Sequence, residues 1–216
     1  MSVLHTAADL VLHLDRHLSW LLMAYGSWLY AIVFGVIFVE TGLVVMPFLP
    51  GDSLLFGIGA LAAATGGQLR IGWLFLLLLA AAAGGNSLNY FVGRAIGQRA
   101  FSGRVRLLRV EYLRRTEDYF RRYGGPTVLL SRFIPIIRTC APFVAGVGRM
   151  SQPRFQAYNL AGAAGWVGLF LFGGYGFGNL PWVRNNFGLV TLGVIAVSLL
   201  PLLGLLAQPR ARREMR

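Results

Sequence analysis

Hydrophobic residues fall in long, nearly unbroken runs along this chain, and four runs have the length of a transmembrane helix. They lie near 27–45, 71–93, 155–178 and 187–207. A helix needs about 20 apolar residues to cross the roughly 30 Å of hydrocarbon in a bilayer. The pattern therefore predicts an all-α membrane protein with about four transmembrane helices, in a single membrane domain that covers residues 1–216.

Two further apolar stretches, 46–66 and 125–148, contain charged residues and are interrupted by proline and glycine. Proline removes a helical hydrogen bond and clashes with the preceding turn, so helices bend or end there. We predict breaks in the two stretches at Pro47, Pro50, Gly51, Pro135, Pro142 and Gly146. Each stretch is thus expected to form a helical hairpin that enters and leaves the membrane on one side.

The arginines set the expected topology. Nine of them lie between Arg94 and Arg122, against three acidic residues, and four more lie in the tail, 208–216. Positive loops face the cytoplasm, so we expect the basic segment 94–123, the C-terminal tail and the N-terminus to be cytoplasmic. An even number of crossings then separates the basic segment from the tail. This condition requires 125–148 to be re-entrant.

A weak internal similarity extends this argument to the first hairpin. The first half carries Pro47, Gly57-x-Gly59 and Tyr90-x-x-Gly93, and the second half carries Pro135, Gly146-x-Gly148 and Tyr175-x-x-Gly178. Together with the topology, it predicts an inverted repeat in which one hairpin enters from outside and the other from the cytoplasm. Many transporters have this arrangement.

Composition agrees with a membrane location. The 216 residues are 56% hydrophobic and only 13% charged, whereas soluble domains carry about 25% charged residues. The net charge of +12 comes with no lysine, and arginine patches beside apolar helices indicate anionic lipid headgroups rather than nucleic acid. The single cysteine, Cys140, excludes an intrachain disulfide.

Residues 1–24 are expected to form an amphipathic helix in the membrane interface, with Leu18 toward lipid. Asp9, His13 and His17 share one face of this helix at i, i+4 spacing. The spacing permits metal binding, but a polar interfacial face explains it equally well, and no His-Glu-x-x-His pattern is present. We expect neither a metal nor a cofactor.

Four charged residues interrupt the apolar runs: Glu40, Asp52, Arg132 and Arg138. Asp52 follows Pro50 and Gly51, so it also suits the cap of the next helix. Arg132 and Arg138 would point apart on an unbroken helix, but a break between them lets both reach one cavity. The four residues could form ion pairs that only hold the hairpins together. Charge inside a membrane is, however, a functional hypothesis by default, since buried ion pairs add little stability.

The same four residues belong to motifs that resemble the DedA family, also called VTT-domain membrane proteins. The first motif spans Glu40 to Asp52. The second has the form R-F-x-P-x-x-R-x-x-x-P-x-x-A-G and spans Arg132 to Gly146. The segments "NYFVGRAIG" and "FQAYN" extend the resemblance, which covers about 10–205.

The resemblance implies two opposed re-entrant hairpins in a bacterial inner-membrane protein that supports envelope maintenance. Some bacterial members are linked to moving undecaprenyl phosphate across the membrane, and members elsewhere scramble phospholipids. It implies that transport depends on Glu40, Asp52, Arg132 and Arg138. Many relatives have aspartate where this chain has Asn86, so a proton relay here would have to do without that position.

Taken together, we expect a flippase for an anionic polyprenyl-phosphate lipid, coupled to protons. Arg132 and Arg138 would bind the phosphate, because arginine matches phosphate oxygens with two parallel hydrogen bonds. Glu40 and Asp52 would exchange protons or form switching salt bridges. Asn86, Asn89 and Tyr90 are candidates for lining the headgroup path.

Two other functions stay open at this stage. A phospholipid scramblase would need only a polar groove between broken helices. In a proton-coupled cation antiporter, the two carboxylates would be the transport site and the arginines would be structural. An enzyme is not expected, since no Ser–His or Cys–His pairing is evident.

Overall fold

The computed structural model describes residues 14–42, 51–96, 110–178, 180–186, 188–190, 192–194 and 196. Within these ranges all regular secondary structure is helical, which confirms the predicted class. The helices are α1 (Leu14–Tyr25), α2 (Trp28–Gly42), α3 (Gly51–Ala64), α4 (Ile71–Ile96), α5 (Val110–Tyr123), α6 (Thr127–Leu130), α7 (Pro135–Val147), α8 (Gln152–Phe177) and α9 (Pro181–Asn185). A 3₁₀ turn, Ser131–Phe133, continues α6.

Two of the described helices, α4 and α8, are long and apolar enough to cross a membrane. Each has 26 residues, or about 39 Å at 1.5 Å per residue. They run antiparallel: Ser87 of α4 bonds Gln156 near the start of α8, and Phe75 near the start of α4 packs on Phe172. These two helices form the axis of the bundle.

Helices α2 and α3 form the first hairpin, in which α2 packs along α4 and α3 packs along α8. The backbone N–H of Arg70 donates to Tyr30 Oη at 2.9 Å, so α2 and α4 begin at the same end of the bundle. Gly42 at the end of α2 lies against Gly85, in the middle of α4. Helix α3 starts beside Glu40 and leads through 65–70 back to the start of α4. Residues 43–50, with Pro47 and Pro50, lie outside the described residues.

We expected 27–45 to cross the membrane and 46–66 to form the hairpin. The described part of α2 has 15 residues, about 22 Å long, and it runs along α4 as far as Gly85. The predicted division between residues 45 and 46 lies outside the described residues and stays a prediction.

The second hairpin enters from the opposite end. Gly125 lies against Tyr158 near the start of α8, and Leu129 lies against Gly162 further along. After a break at Ile134, whose backbone is extended (φ −124°, ψ 104°), α7 returns along α4: Asn89 Nδ2 donates to the Thr139 carbonyl at 2.9 Å. In mid-bundle the start of α7 therefore meets the end of α2 and the start of α3. The re-entrant placement of the hairpins in a membrane and the number of crossings stay predictions.

Two of the predicted breaks are wrong. Helix α7 continues through both Pro142 and Gly146 and ends at Val147, and the interruption falls at Ile134, just before Pro135. Pro142 removes one hydrogen bond inside α7, but packing against α4 holds the helix together. Gly146 instead allows α7 to lie close to α4, because a Cβ at this position would collide with the Tyr90 carbonyl.

One helix of each hairpin packs on the long helix of the other half of the chain. Each of these two crossings contains a pair of glycines. In the first crossing, Gly174 of α8 faces the Phe56 carbonyl and Gly59 of α3 faces the Leu171 carbonyl. In the second crossing, Gly93 of α4 faces the Phe143 carbonyl and Gly146 of α7 faces the Tyr90 carbonyl. At all four positions a Cβ would collide with the facing carbonyl, so only glycine permits this approach.

These two crossings correct the repeat proposed from the sequence. The sequence matched Gly57 with Gly146, and Gly93 with Gly178. By their contacts, Gly59 corresponds to Gly146, and Gly93 corresponds to Gly174. The two halves thus repeat the same kind of contact, at positions shifted by two and four residues from those that the sequence indicated.

The helices outside the hairpins pack on them. Leu18 of α1 is buried in the main core rather than turned toward lipid, whereas Trp20 and Met23 are exposed. Phe120 of α5 packs on the apolar cluster around Cys140, and Arg121 lies on the exposed face. Asp9, His13, most of the predicted span 187–207 and the tail 208–216 lie outside the described residues.

Candidate functional site

The candidate site lies where the end of α2 and the start of α3 meet the start of α7. Glu40 stands in the last turn of α2, and Asp52 in the first turn of α3. A Cβ at Gly51 would collide with the Glu40 carboxylate, so this glycine lets α3 start directly against α2. The residue that begins α3 thereby brings both carboxylates of the first hairpin to one place.

Arg138, in the first turn of α7, joins the second hairpin to both carboxylates. Its Nη2 lies 2.6 Å from Glu40 Oε1, and its Nη1 lies 2.9 Å from Asp52 Oδ1. The side chains are 10% exposed for Arg138, 1% for Glu40 and 14% for Asp52. Arg138 therefore makes both of the predicted ion pairs between the hairpins, one with each of its two terminal nitrogens.

Trp166 of α8 completes this cluster. Its indole N–H donates to Asp52 Oδ1 at 2.8 Å. The guanidinium carbons of Arg138 and Arg132 lie 5.3 and 5.8 Å from its ring centroid, within the range of cation–π attraction. One aromatic ring thus contacts both arginines and orients one carboxylate.

Replacing Trp166 with phenylalanine should separate these two contributions. The aromatic face would remain, but Asp52 would lose one hydrogen bond to a charged group, which is worth about 1.5–3 kcal/mol. We expect a lower free energy of unfolding in detergent, and a larger loss for Trp166→Leu, which also removes the ring. Equal stability of the phenylalanine variant and the wild type would show that the indole hydrogen bond contributes nothing.

Arg132 has a different environment from Arg138. It is 2% exposed, and its Nη2 donates to Asn159 Oδ1 at 2.8 Å and to the Ala82 carbonyl at 3.3 Å. Among the described residues, Nε and Nη1 have no hydrogen-bond partner. Buried guanidinium donors without partners are costly and rare, so these two N–H groups distinguish Arg132 from Arg138, whose two terminal nitrogens are both paired.

The predicted path residues are all buried, but they lie at different places. Asn86 bonds Asn159 Oδ1 at 3.1 Å, in contact with the Arg132 network. Asn89 holds the Thr139 carbonyl of α7. Tyr90 donates to the Met150 carbonyl at 2.5 Å, and Arg94 donates to Tyr90, near the end of α4.

Two residues of the site were not predicted as site residues. Trp166 gave no signal, because a tryptophan in an apolar helix also fits the role of a packing or interface anchor. Asn159 appeared only within the "FQAYN" segment. The available signal was that the asparagine stands directly before residues 160–177, which are glycine, alanine and other apolar or aromatic residues.

Comparison with known proteins identifies the group to which this chain is related. The VTT domain matches residues 49–176. The chain belongs to the DedA family of VTT-domain membrane proteins. The protein DedA of Escherichia coli is 48% identical over 202 residues, covering 93% of this chain and 92% of the relative.

More distant relatives are membrane proteins as well. An uncharacterized membrane protein of Mycobacterium tuberculosis is 38% identical over 192 residues, covering 88% of this chain and 84% of the relative. The inner membrane protein YqjA of E. coli is 35% identical over 154 residues, covering 71% and 69%. No solved structure matches the chain. The predicted family is confirmed, and the chain is a membrane protein of the DedA family.

Proposed function

We propose that this protein carries an anionic polyprenyl-phosphate lipid, such as undecaprenyl phosphate, across the bacterial inner membrane in exchange for or together with protons. The observation that carries the proposal is Arg132, a buried cation with two N–H groups that have no partner among the described residues, near Arg138, whose two terminal nitrogens are both paired. Relatives named as inner membrane proteins support the location. We place both termini in the cytoplasm, on the side of the basic segment.

The chemistry of the site suits a phosphate headgroup. The Nε and Nη1 groups of Arg132 lie on different edges of the guanidinium, so each can donate separately to an oxygen of an anion. Helices α3 and α7 both begin at the site, and the N-terminus of a helix carries partial positive charge. A phosphate monoester at the site would be attracted by the arginine donors and by both helix N-termini.

Arg138 supports coupling to protons. It is paired with both Glu40 and Asp52, so the formal charges of the three groups sum to −1. Uptake of one proton brings this sum to zero and frees one of the two terminal nitrogens of Arg138 for an anion. A phosphate monoester carries about −1.5 to −2 charges near neutral pH and would then compete for the released guanidinium. Movement of the phosphate away from the site would let the ion pairs form again and return the proton.

Replacing Arg132 with methionine should abolish transport without unfolding the protein. Methionine fills a similar volume and removes two buried donors that lack partners, a change that is often neutral for stability. We expect transbilayer movement of labelled polyprenyl phosphate in proteoliposomes to fall at least tenfold. The control is Arg121→Met, which removes an exposed arginine of α5 and should transport like the wild type. Unchanged transport by the Arg132 variant would remove Arg132 from the mechanism.

The same vesicles decide between the proposed function and its alternatives. Transport driven by a pH gradient supports the proton-coupled carrier, whereas a rate that ignores the gradient removes the coupling. Equal movement of phosphatidylcholine would identify a scramblase. Proton flux driven by a cation gradient in vesicles without polyprenyl phosphate would identify an antiporter. We expect no release of inorganic phosphate, since the proposed role is transport and not catalysis.

A further inference from the structure

Asn159 determines how Arg132 is presented. It is fully buried on α8, and its Nδ2 donates to the Ala83 carbonyl at 3.0 Å. This bond turns its Oδ1 toward the second hairpin, where it accepts from Arg132 Nη2 at 2.8 Å and from Asn86 at 3.1 Å. The amide orientation follows from these partners, because only the NH₂ group can donate to a carbonyl.

The next turn of α8 fixes the rest of the Arg132 side chain. A Cβ at Gly162 would lie 3.2 Å from Arg132 Cδ and 3.3 Å from its Nε, so the glycine leaves the space that the arginine fills. Trp166, one turn further, contacts the guanidinium. One face of α8 thus holds the Arg132 side chain. This face consists of Asn159, Gly162 and Trp166, and its hydrogen bond to the arginine is made at Nη2. The Nε and Nη1 groups are left without partners among the described residues.

The partners of the two arginines differ in charge. Arg138 is held by two carboxylates, whereas the acceptors for Arg132 are an amide oxygen and a backbone carbonyl. No ion pair of Arg132 occurs within the described ranges. A neutral acceptor fixes the position of a guanidinium without cancelling its charge.

We infer that Asn159 is a positioning residue that holds Arg132 by one corner and preserves its charge, so that the site selects lipids with a net negative phosphomonoester head over zwitterionic phospholipids. This inference rests on the proposed function and deepens it. The positive charge of Arg132 gives no net advantage to a head that carries its own cation. A carboxylate at position 159 would occupy and neutralise the same guanidinium.

The variant Asn159→Asp tests this inference, because it keeps the shape and the acceptor oxygen and adds a negative charge, although it also removes the hydrogen bond from Nδ2 to the Ala83 carbonyl. We expect the KM for transport of a polyprenyl phosphate to rise at least tenfold, with little change in kcat. The affinity for farnesyl phosphate, measured in detergent, should fall by a similar factor. Asn186→Asp makes the same chemical change at a residue that bonds the Trp182 carbonyl, and should leave both values within twofold of the wild type.

A thermal double-mutant cycle with Arg132→Met tests the contact without any lipid. If the new carboxylate pairs with Arg132, Asn159→Asp should lower the unfolding temperature by several degrees more in the Arg132→Met background than in the wild type. In that background the buried carboxylate has lost its cation. Equal shifts in the two backgrounds would overturn the inference.

The outcomes separate this inference from the proposed function. Wild-type protein that neither binds farnesyl phosphate nor transports the polyprenyl lipid would contradict the proposed function, and the thermal cycle would still decide whether Asn159 controls the charge of Arg132. Wild-type protein that binds farnesyl phosphate with the same affinity as Asn159→Asp would overturn the inference and leave the proposed function standing.

Discussion

Replacing Arg138 with alanine should cause the largest loss of stability of any single change at the site. Two carboxylates from the first hairpin would remain buried without their common cation. Breaking a buried ion pair by removing one partner costs about 3–5 kcal/mol, since the other charge stays desolvated. We expect a sharply lower unfolding temperature in detergent and no transport in proteoliposomes.

A second substitution shows whether the loss comes from uncompensated charge. Adding Glu40→Gln to Arg138→Ala should restore part of the lost stability, because one of the two stranded carboxylates becomes neutral. Arg121→Ala serves as a control: its ion pair with Glu117 is on the surface of α5, and such pairs contribute only about 0.3–0.5 kcal/mol. If the Arg138 variant unfolds like the wild type, the ion pairs do not hold the hairpins together.

Neighbouring glycines of α8 should respond in opposite directions to the same substitution. A Cβ at Gly174 would collide with the Phe56 carbonyl of α3, whereas a Cβ at Gly173 would meet no atom of the described residues within 4 Å. Gly174→Ala should therefore cost about 1–3 kcal/mol, the range for overpacking. Gly173→Ala should be neutral or stabilising by up to about 1 kcal/mol, because alanine favours helix.

The second crossing offers the same comparison on α4. Gly93 faces the Phe143 carbonyl, and Gly72 has open space around it. The unfolding temperature should fall for Gly93→Ala as it does for Gly174→Ala. For Gly72→Ala it should stay the same or rise, as for Gly173→Ala. A Gly93→Ala variant as stable as Gly72→Ala would mean that α7 yields at this point and that the two crossings are not equivalent.

The sequence was sufficient to predict which charged residues come together, but not how they pair. Charge inside apolar segments is expensive, so Glu40, Asp52, Arg132 and Arg138 were recognisable one by one. Arg132 and Arg138 were treated alike, since they share a motif and a residue type. What separates them is the surface that each one faces: Arg138 faces the carboxylates of the first hairpin, and Arg132 faces α4 and α8. That difference depends on contacts between residues as much as 98 positions apart.

Helix boundaries were less predictable for a related reason. Hydropathy shows that a segment avoids water, but not whether it crosses the bundle or turns back in the middle. The apolar run of α2 extends into 43–50, so hydropathy alone cannot locate the turn. Pro142 has the residue type of a helix break, yet its helix continues because α4 supports it along its length. Tertiary packing decided that outcome.

The exchanged packing of the hairpins has a consequence for how such a fold could arise. Helix α3 rests on α8, and α7 rests on α4, so each half of the chain supplies the surface that buries one helix of the hairpin of the other. A half-length chain would keep the contact of α2 with α4, or of α6 with α8, but would leave α3 or α7 without its long helix. Two copies of one half in antiparallel arrangement would supply this missing surface to each other. The architecture is that of an antiparallel homodimer joined into a single polypeptide.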